Sequence, residues 1–200
     1  KAQTGMEAAT YLSSKKICTA ILDINLPDIN GFEILKEIRK HPVHKDIPIL
    51  MLTNDSDKVD TVLALEMGAD DYITKPFHKR EFIARINVAL RRARPFLISS
   101  GNTLNFGTLV VNIDNREVKK DGTLINLTFT EFELLLLLCL NAGRIFTRDE
   151  LMDRLWGELY ISETRTVDIH ISSLRKKIRG DDETDQFIET VRGVGYRFRQ

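Results

Sequence analysis

The chain has 200 residues, enough for two domains of about 100 residues each. Hydrophobic residues make up 42% and charged residues 29%, the balance of a globular protein, and the longest apolar run, Leu134–Leu140, is far short of the roughly 20 residues a membrane span needs. Formal net charge is zero, with 15 basic against 13 acidic side chains in residues 1–100 and 14 against 16 in residues 101–200, so total charge neither indicates nor excludes a nucleic-acid partner.

The first half alternates helical and strand-like segments. Gly5 to Ser14 has helical spacing, and TAILD reads as a buried strand ending at Asp23. Gly31 to Lys40 places Phe32, Leu35 and Ile38 on one helical face. IPILMLT is a second buried strand, ending at Thr53, and a helix runs from about Asp57 to Met67. The short DDYIT makes a third strand, followed by KPF and a long helix from Lys79 to Arg92. This alternation predicts a parallel α/β sheet. Three strands that each end in a polar residue gather those residues in a crevice at the carboxyl edge, where open α/β sheets bind ligands. The cysteines, Cys18 and Cys139, lie in apolar runs and read as buried free thiols. With no signal peptide opening the sequence, the expectation is a reducing, cytoplasmic compartment.

RPFLISSGN, up to Asn102, combines Pro, Ser and Gly as a linker does. The expected organisation is a domain over 1–94, a linker over 95–102 and a second domain over 103–200. Beyond the linker, period-two stretches (TLNFG, LVVNI, REVKK, TLINL) with turns at DN and DG predict a small antiparallel sheet. Thr128 with Glu131, and Thr147 with Glu150, are capping boxes that open two helices, each cap contributing about 1 kcal/mol. A third helix spans about Glu163 to Ile178, and FIETVRGVGYRFR closes the chain as a hairpin turning through Gly193 to Gly195.

The third helix carries the local charge: five basic side chains against Asp168 alone from Arg165 to Arg179. Val167, Ile171, Leu174 and Ile178 form an apolar stripe. Thr166, His170, Ser173 and Lys177 form the opposite side, flanked by Arg165, Ser172, Arg175 and Lys176. Such a helix can lie in a DNA major groove, or it can be a core helix with a solvated basic face. Arg192-Gly193 at a tight turn projects a guanidinium from a rigid hairpin, a shape suited to phosphates or a minor groove, and this favours DNA.

Asp23 followed by LPDINGFEIL resembles the phosphoacceptor loop of response-regulator receivers, and Thr53 and Lys75-Pro76 fall at that family's spacing. The resemblance covers residues 1–94. LTFTEFELLLLL, RTVDIHISSLRKKI and TVRGVGYRF resemble the OmpR/PhoB winged-helix class over residues 103–199. The fold this implies is a doubly wound parallel-sheet α/β receiver followed by an α+β winged-helix domain. The function it implies is DNA-binding transcriptional regulation, not catalysis in its own right, with Asp23 taking a phosphoryl group from a sensor histidine kinase. In the same reading, Lys75 reaches an acyl-phosphate oxygen, Thr53 donates to another, and Mg²⁺ is held by Asp23 and the backbone carbonyl of Asn25. The Lys75–Pro76 bond is expected to be cis. Tyr72 matches the family's switch aromatic, although from the residues alone it is a half-buried strand tyrosine. Asn54 replaces the small residue usual after the threonine and puts ordinary phosphorylation kinetics in doubt.

Receivers also use an acidic pair after their first strand, and no such strand precedes Lys1. The favoured expectation is that roughly 30 residues of a βαβ unit are omitted, the alternative being that another copy supplies the strand; this chain taken alone leaves the metal site and sheet incomplete. The resemblance further implies a homodimer through the helix before the third strand, that strand and the final helix, with Asp70 and Asp71 pairing with arginines of the second copy and Glu81, Arg85 and Arg92 along one face of the final helix. In that scheme Thr61 leaves Glu81 without a cation. Ser172 and Ser173 stand where relatives carry arginines. In the loop after the second helix of the C-terminal domain, Trp156 reads as core and Glu158 to Tyr160 as contacts for RNA polymerase.

Two rival readings stand beside this one. A phosphatase of the haloacid dehalogenase type needs a second Asp two residues after the nucleophile, where this chain has Asn25. A DNA-binding regulator whose receiver is only a phosphorylation-independent dimerisation module stays open at this point.

Overall fold

Apolar strands and amphipathic helices alternate through the first unit of the chain as α1 (Gly5–Ser14), β1 (Ala20–Asp23), α2 (Gly31–Lys40), β2 (Ile49–Asn54), α3 (Lys58–Glu66), β3 (Asp71–Lys75) and α4 (Lys79–Arg92). The computed structural model describes residues 1–54, 58–92, 102–157, 165–179 and 187–199. Contacts divide the chain into two units, Lys1–Arg94 and Pro95–Gln200. In the first, β2 lies between β1 and β3 and runs parallel to both. Among the described residues β1 pairs with β2 alone. α2 begins where the Asn30 side chain accepts from the Phe32 N–H, and it buries Phe32, Ile34, Leu35 and Ile38 against the sheet. Arg39 and Lys40 occupy its last turn, where cations suit the helix dipole. Register sets Asp23 opposite Leu52, Thr53 opposite Thr74 and Asn54 opposite Lys75, so the polar strand ends share one edge.

The second unit opens with an antiparallel sheet of β4 (Thr103–Phe106), β5 (Leu109–Asn112), β6 (Glu117–Lys120) and β7 (Thr123–Ile125) in sequential order. Then come α5 (Phe129–Leu140), β8 (Ile145–Thr147), α6 (Arg148–Trp156), α7 (Arg165–Ile178), β9 (Ile188–Val191) and β10 (Gly195–Phe198). Both expected capping boxes form, at Thr128/Glu131 and Thr147/Glu150. The core joins Leu134, Leu135 and Leu138 of α5, Leu151 and Trp156 of α6, and the apolar stripe of α7. A receiver-type parallel sheet is thus followed by a winged-helix domain, the fold class that the sequence predicts.

Two features differ from expectation. Cys18 is exposed; only Cys139 is buried, and burial pushes its thiol well above the usual range. β8 was not anticipated: it pairs with β10, making the terminal hairpin a three-stranded sheet. The linker and the Glu158 to Tyr160 loop fall outside the described residues, Asn102 excepted. Among the described residues no helix is long and apolar enough to cross a membrane.

The β8–β10 contact explains Gly195, because a Cβ there would sit 1.9 Å from the Phe146 carbonyl oxygen. Gly195→Ala is expected to force β10 off β8 and lower the unfolding free energy of this unit by about 1–3 kcal/mol. Urea denaturation followed by Trp156 fluorescence measures this; an unchanged midpoint would contradict the contact.

Candidate functional site

In the first unit, the carboxyl edge of the sheet brings Asp23, Thr53 and Lys75 together. Lys75 Nζ donates to Asp23 Oδ2, and Asp23 Oδ1 accepts from the Asn25 N–H at 3.1 Å. The Lys75 and Asp23 side chains are 33% and 29% exposed, so the pair is open to an incoming group. Thr53 is buried, and its hydroxyl donates to the Asn54 carbonyl at 3.3 Å. The Lys75–Pro76 peptide is cis. Tyr72 is half-buried and packs partly on the core of this unit.

The loop after Asp23 is braced at both ends. Gly31 follows the strand so closely that a Cβ would lie 2.1 Å from the Asp23 carbonyl oxygen. Asp28, which the sequence reading passed over, accepts from the Gly5 and Met6 N–H groups at 2.8 and 3.1 Å and so caps α1. The hydrogen bond from Gly5 is the main cause holding its carboxyl below the usual range. Asp23 and the Asn25 backbone offer hard oxygen donors, the class Mg²⁺ takes, and among the described residues no group of three or more His, Cys, Asp or Glu could hold a metal.

The charges expected to pair between two copies are engaged within one chain. Asp70 is 5% exposed; it accepts from Arg39 Nη2 at 2.7 Å and from the Ile49 N–H at 2.8 Å. Asp71 accepts from Arg85 Nη1 at 3.0 and 3.1 Å and from the Tyr72 N–H at 2.8 Å, and Arg85 also donates to Glu81 at 2.7 Å. Within one chain Glu81 thus has Arg85 as its cation, and Asp70 and Asp71 each meet an arginine before any second copy approaches. The Arg92 side chain lies outside the described residues.

In the second unit, α7 is buried on two faces. Val167, Ile171, Leu174 and Ile178 face the core as expected. Thr166 and His170, expected on the groove side, are 2% and 1% exposed, and the His170 ring lies 5.5 Å from Trp156. Ser173 Oγ and Lys177 Nζ both donate to Glu131 of α5 at 2.6 Å. The exposed stripe is instead Arg165, Ser172, Lys176 and Arg179, at spacings of seven, four and three. Arg179 extends the expected set.

Arg175 is also displaced from its expected role. Its guanidinium donates twice to the Ile188 carbonyl, at 3.1 and 2.9 Å, and to Thr190 Oγ1 at 2.8 Å, with Cζ 5.4 Å from the Tyr196 ring centre. It therefore braces the hairpin. At the other end of α7, Asp168 accepts from Arg148 at 2.7 Å and from the Tyr196 hydroxyl at 2.6 Å. Burial, then the bond to Asp168, pushes the Tyr196 phenol up. Arg192 is exposed at the hairpin tip beside Gly193, whose φ of 73° suits glycine. Arg175, Arg179 and Arg192 line a groove of about 460 Å³ between α7 and the hairpin, and Glu189 in that groove is answered by Arg197 at 2.8 Å.

The two units also match known domains. Residues 1–87 match the model of the response regulator receiver domain, and residues 122–198 that of the C-terminal domain of transcriptional regulatory proteins. The chain is 41% identical over 179 residues to the sensory transduction protein RegX3 of Mycobacterium leprae, covering 88% of each. It is also 41% identical to the transcriptional regulatory protein TrcR of Mycobacterium tuberculosis, covering 99% of this chain and 76% of that one. Among solved structures, a RitR mutant aligns with a TM-score of 0.74 at 25% identity over 100% of this chain and 86% of that one.

Because Arg85 is 7% exposed and holds two carboxylates, Arg85→Ala leaves Asp71 buried without its bidentate donor. Thermal or chemical denaturation is expected to report a loss of about 3 kcal/mol in the first unit; a change under about 0.5 kcal/mol, the size of a surface substitution, contradicts the pairing.

Proposed function

The chain belongs to the response regulators of the OmpR/PhoB type, and from that membership we propose that it regulates transcription under the control of phosphorylation at Asp23. The observation that carries the reading is the Lys75–Asp23 pair beside Thr53 at one sheet edge. Asp23 supplies the oxygen nucleophile, and a sensor histidine kinase supplies the phosphoryl group. Transfer breaks a phosphorus–nitrogen bond and forms a phosphorus–oxygen bond at Asp23. Lys75 stays beside the new acyl phosphate as a counter-charge. Thr53 exchanges its bond to the Asn54 carbonyl for one to a phosphoryl oxygen, and Tyr72 turns into the space it leaves. Asn54, exposed at the mouth of the crevice, narrows the approach and slows transfer and hydrolysis. Mg²⁺, held in part by Asp23 and the Asn25 carbonyl, supplies charge neutralisation for the transferring group.

The output is cytoplasmic, sequence-specific DNA binding by a homodimer. Exposed Val62 and Leu63 on α3 and Ile83 and Leu90 on α4 give the first unit an apolar surface for a second copy. In the second unit α7 enters the major groove with Arg165, Ser172, Lys176 and Arg179 outward, and Arg192 and Gly193 carry the wing to the backbone or minor groove. Thr166, His170, Ser173 and Arg175 support this surface from behind. RNA polymerase is the partner proposed for Glu158 to Tyr160.

Incubation with a small acyl-phosphate donor and Mg²⁺ is expected to add one phosphoryl mass to the protein and none to Asp23→Asn. Full labelling of that variant would move the acceptor elsewhere and sink the reading.

The wing is tested separately. Arg192→Ala should weaken binding to any duplex and flatten the plot of log K against log salt by about one. Anisotropy titrations from low to moderate salt measure this, and an unchanged slope removes Arg192 from the interface.

A further inference from the structure

Two helices of the second unit open with the same local device, and their carboxylates end up in different surroundings. In α6, Glu150 Oε2 accepts from the Thr147 N–H at 2.9 Å, and Oε1 meets the half-exposed Arg144 at 3.0 Å. In α5, Glu131 is 2% exposed. Its Oε2 accepts from the Thr128 N–H at 2.7 Å and from Lys177 Nζ at 2.6 Å, and its Oε1 accepts from Ser173 Oγ at 2.6 Å. Burial pushes the Glu131 carboxyl up, and the Lys177 ammonium with the Ser173 and Thr128 donors more than reverses this, leaving it below the usual range.

A capping box accepts Glu or Gln at its third helical position, so the start of α5 does not itself require a charge. The requirement comes from α7, where Ser173 and Lys177 are one turn apart and converge on a single carboxylate. We propose that Glu131 is a positioning residue for DNA recognition, setting the rotation of α7 about its axis through Ser173 and Lys177. The apolar stripe of α7 holds the helix on the core and resists rolling poorly, because apolar contact has no preferred direction. Arg175 ties one flank of α7 to the hairpin, and Glu131 ties the other to α5. A roll of about 20° moves a side-chain tip at the roughly 5–6 Å radius of a helix by about 2 Å, enough to break hydrogen bonds to base edges. Phosphate attraction extends over about 10 Å and tolerates such a shift. Glu131 therefore governs discrimination among sequences and leaves the salt-dependent affinity alone. This rests on the DNA-binding reading above.

The full chain is first used to select duplexes from a randomised pool. Affinities for a selected and a scrambled duplex are then measured for the parent, Glu131→Gln and Glu150→Gln. Glu131→Gln is expected to lower the selected-to-scrambled ratio by about tenfold, the equivalent of one charge-assisted hydrogen bond. It should relax preference at several base pairs while the salt slope stays, and Glu150→Gln should keep the parental ratio. A folded Glu131→Gln with the parental ratio overturns the proposal, as does an equal loss in Glu150→Gln. If Glu131→Gln does not fold, Ser173→Ala carries the test: relaxed preference at several base pairs supports positioning. Relaxation at a single base pair marks direct contact, and unchanged preference leaves no positioning role; either overturns the proposal. A parent that enriches no duplex overturns the DNA reading and this inference together.

Discussion

Removing a carboxylate from water is costly unless donors surround it, and both units of this chain are organised around carboxylates that meet this demand. In the first, Asp70 gathers Arg39 of α2 and the Ile49 N–H of β2. Arg39 also donates to the carbonyls of Lys45, Ile47 and Gly68, so one guanidinium ties α2 to the segments entering β2 and β3. That clamp fixes the amino-terminal edge of the sheet. The carboxyl edge, where Asp23 and Lys75 meet, is left as the more open one. In the second unit, buried Glu131 holds α7 against α5 in the same manner, while the more exposed Asp168 receives Arg148 of α6 and Tyr196 of β10.

The two kinds of carboxylate differ in what they can do. Asp70 and Asp71 are desolvated and fully engaged with arginines, whose forked donors match a carboxylate. Asp23 faces a lysine, a point charge on a flexible stem, and keeps nearly a third of its side chain in solvent. An exposed pair of this type is worth little, on the order of 1 kcal/mol or less, so it can part to admit a third group. The chain separates anchoring acids from a more open one by the cation each is given.

Much of this was legible in the sequence. Thr128 and Thr147 are helix starts that act over three residues, and the apolar periods of α2 and α7 reach the core as their spacing implies. Asp23, Thr53 and Lys75 converge because parallel strands carry their carboxyl ends to one edge. The departures have a common cause. Periodicity counts polar residues as solvated, and a helix clasped between two partners buries a wider arc than its apolar stripe. Ser173 and Lys177 look exposed until Glu131 is placed opposite, 42 residues from Ser173 in sequence, and His170 until Trp156 is set beside it. Asp71 and Arg85 are likewise 14 residues apart, and nothing local announces the pair. β8 escaped notice because three residues give too short a pattern to read, although Gly195, so close to Phe146, is its trace on the partner strand.

The double grip of Glu131 also constrains how such a protein can diverge. A cation lost at Lys177 leaves a buried acid without its counter-charge, and an acid lost at Glu131 leaves a lysine that is itself two-thirds buried without one. These two positions drift in concert, each path passing through a compensated combination. Ser172 and Lys176 are exposed on the outer side of α7, so substitutions there leave the bonds from Ser173 and Lys177 to α5 in place. The outer surface of α7 can therefore change one residue at a time while the frame behind it stays.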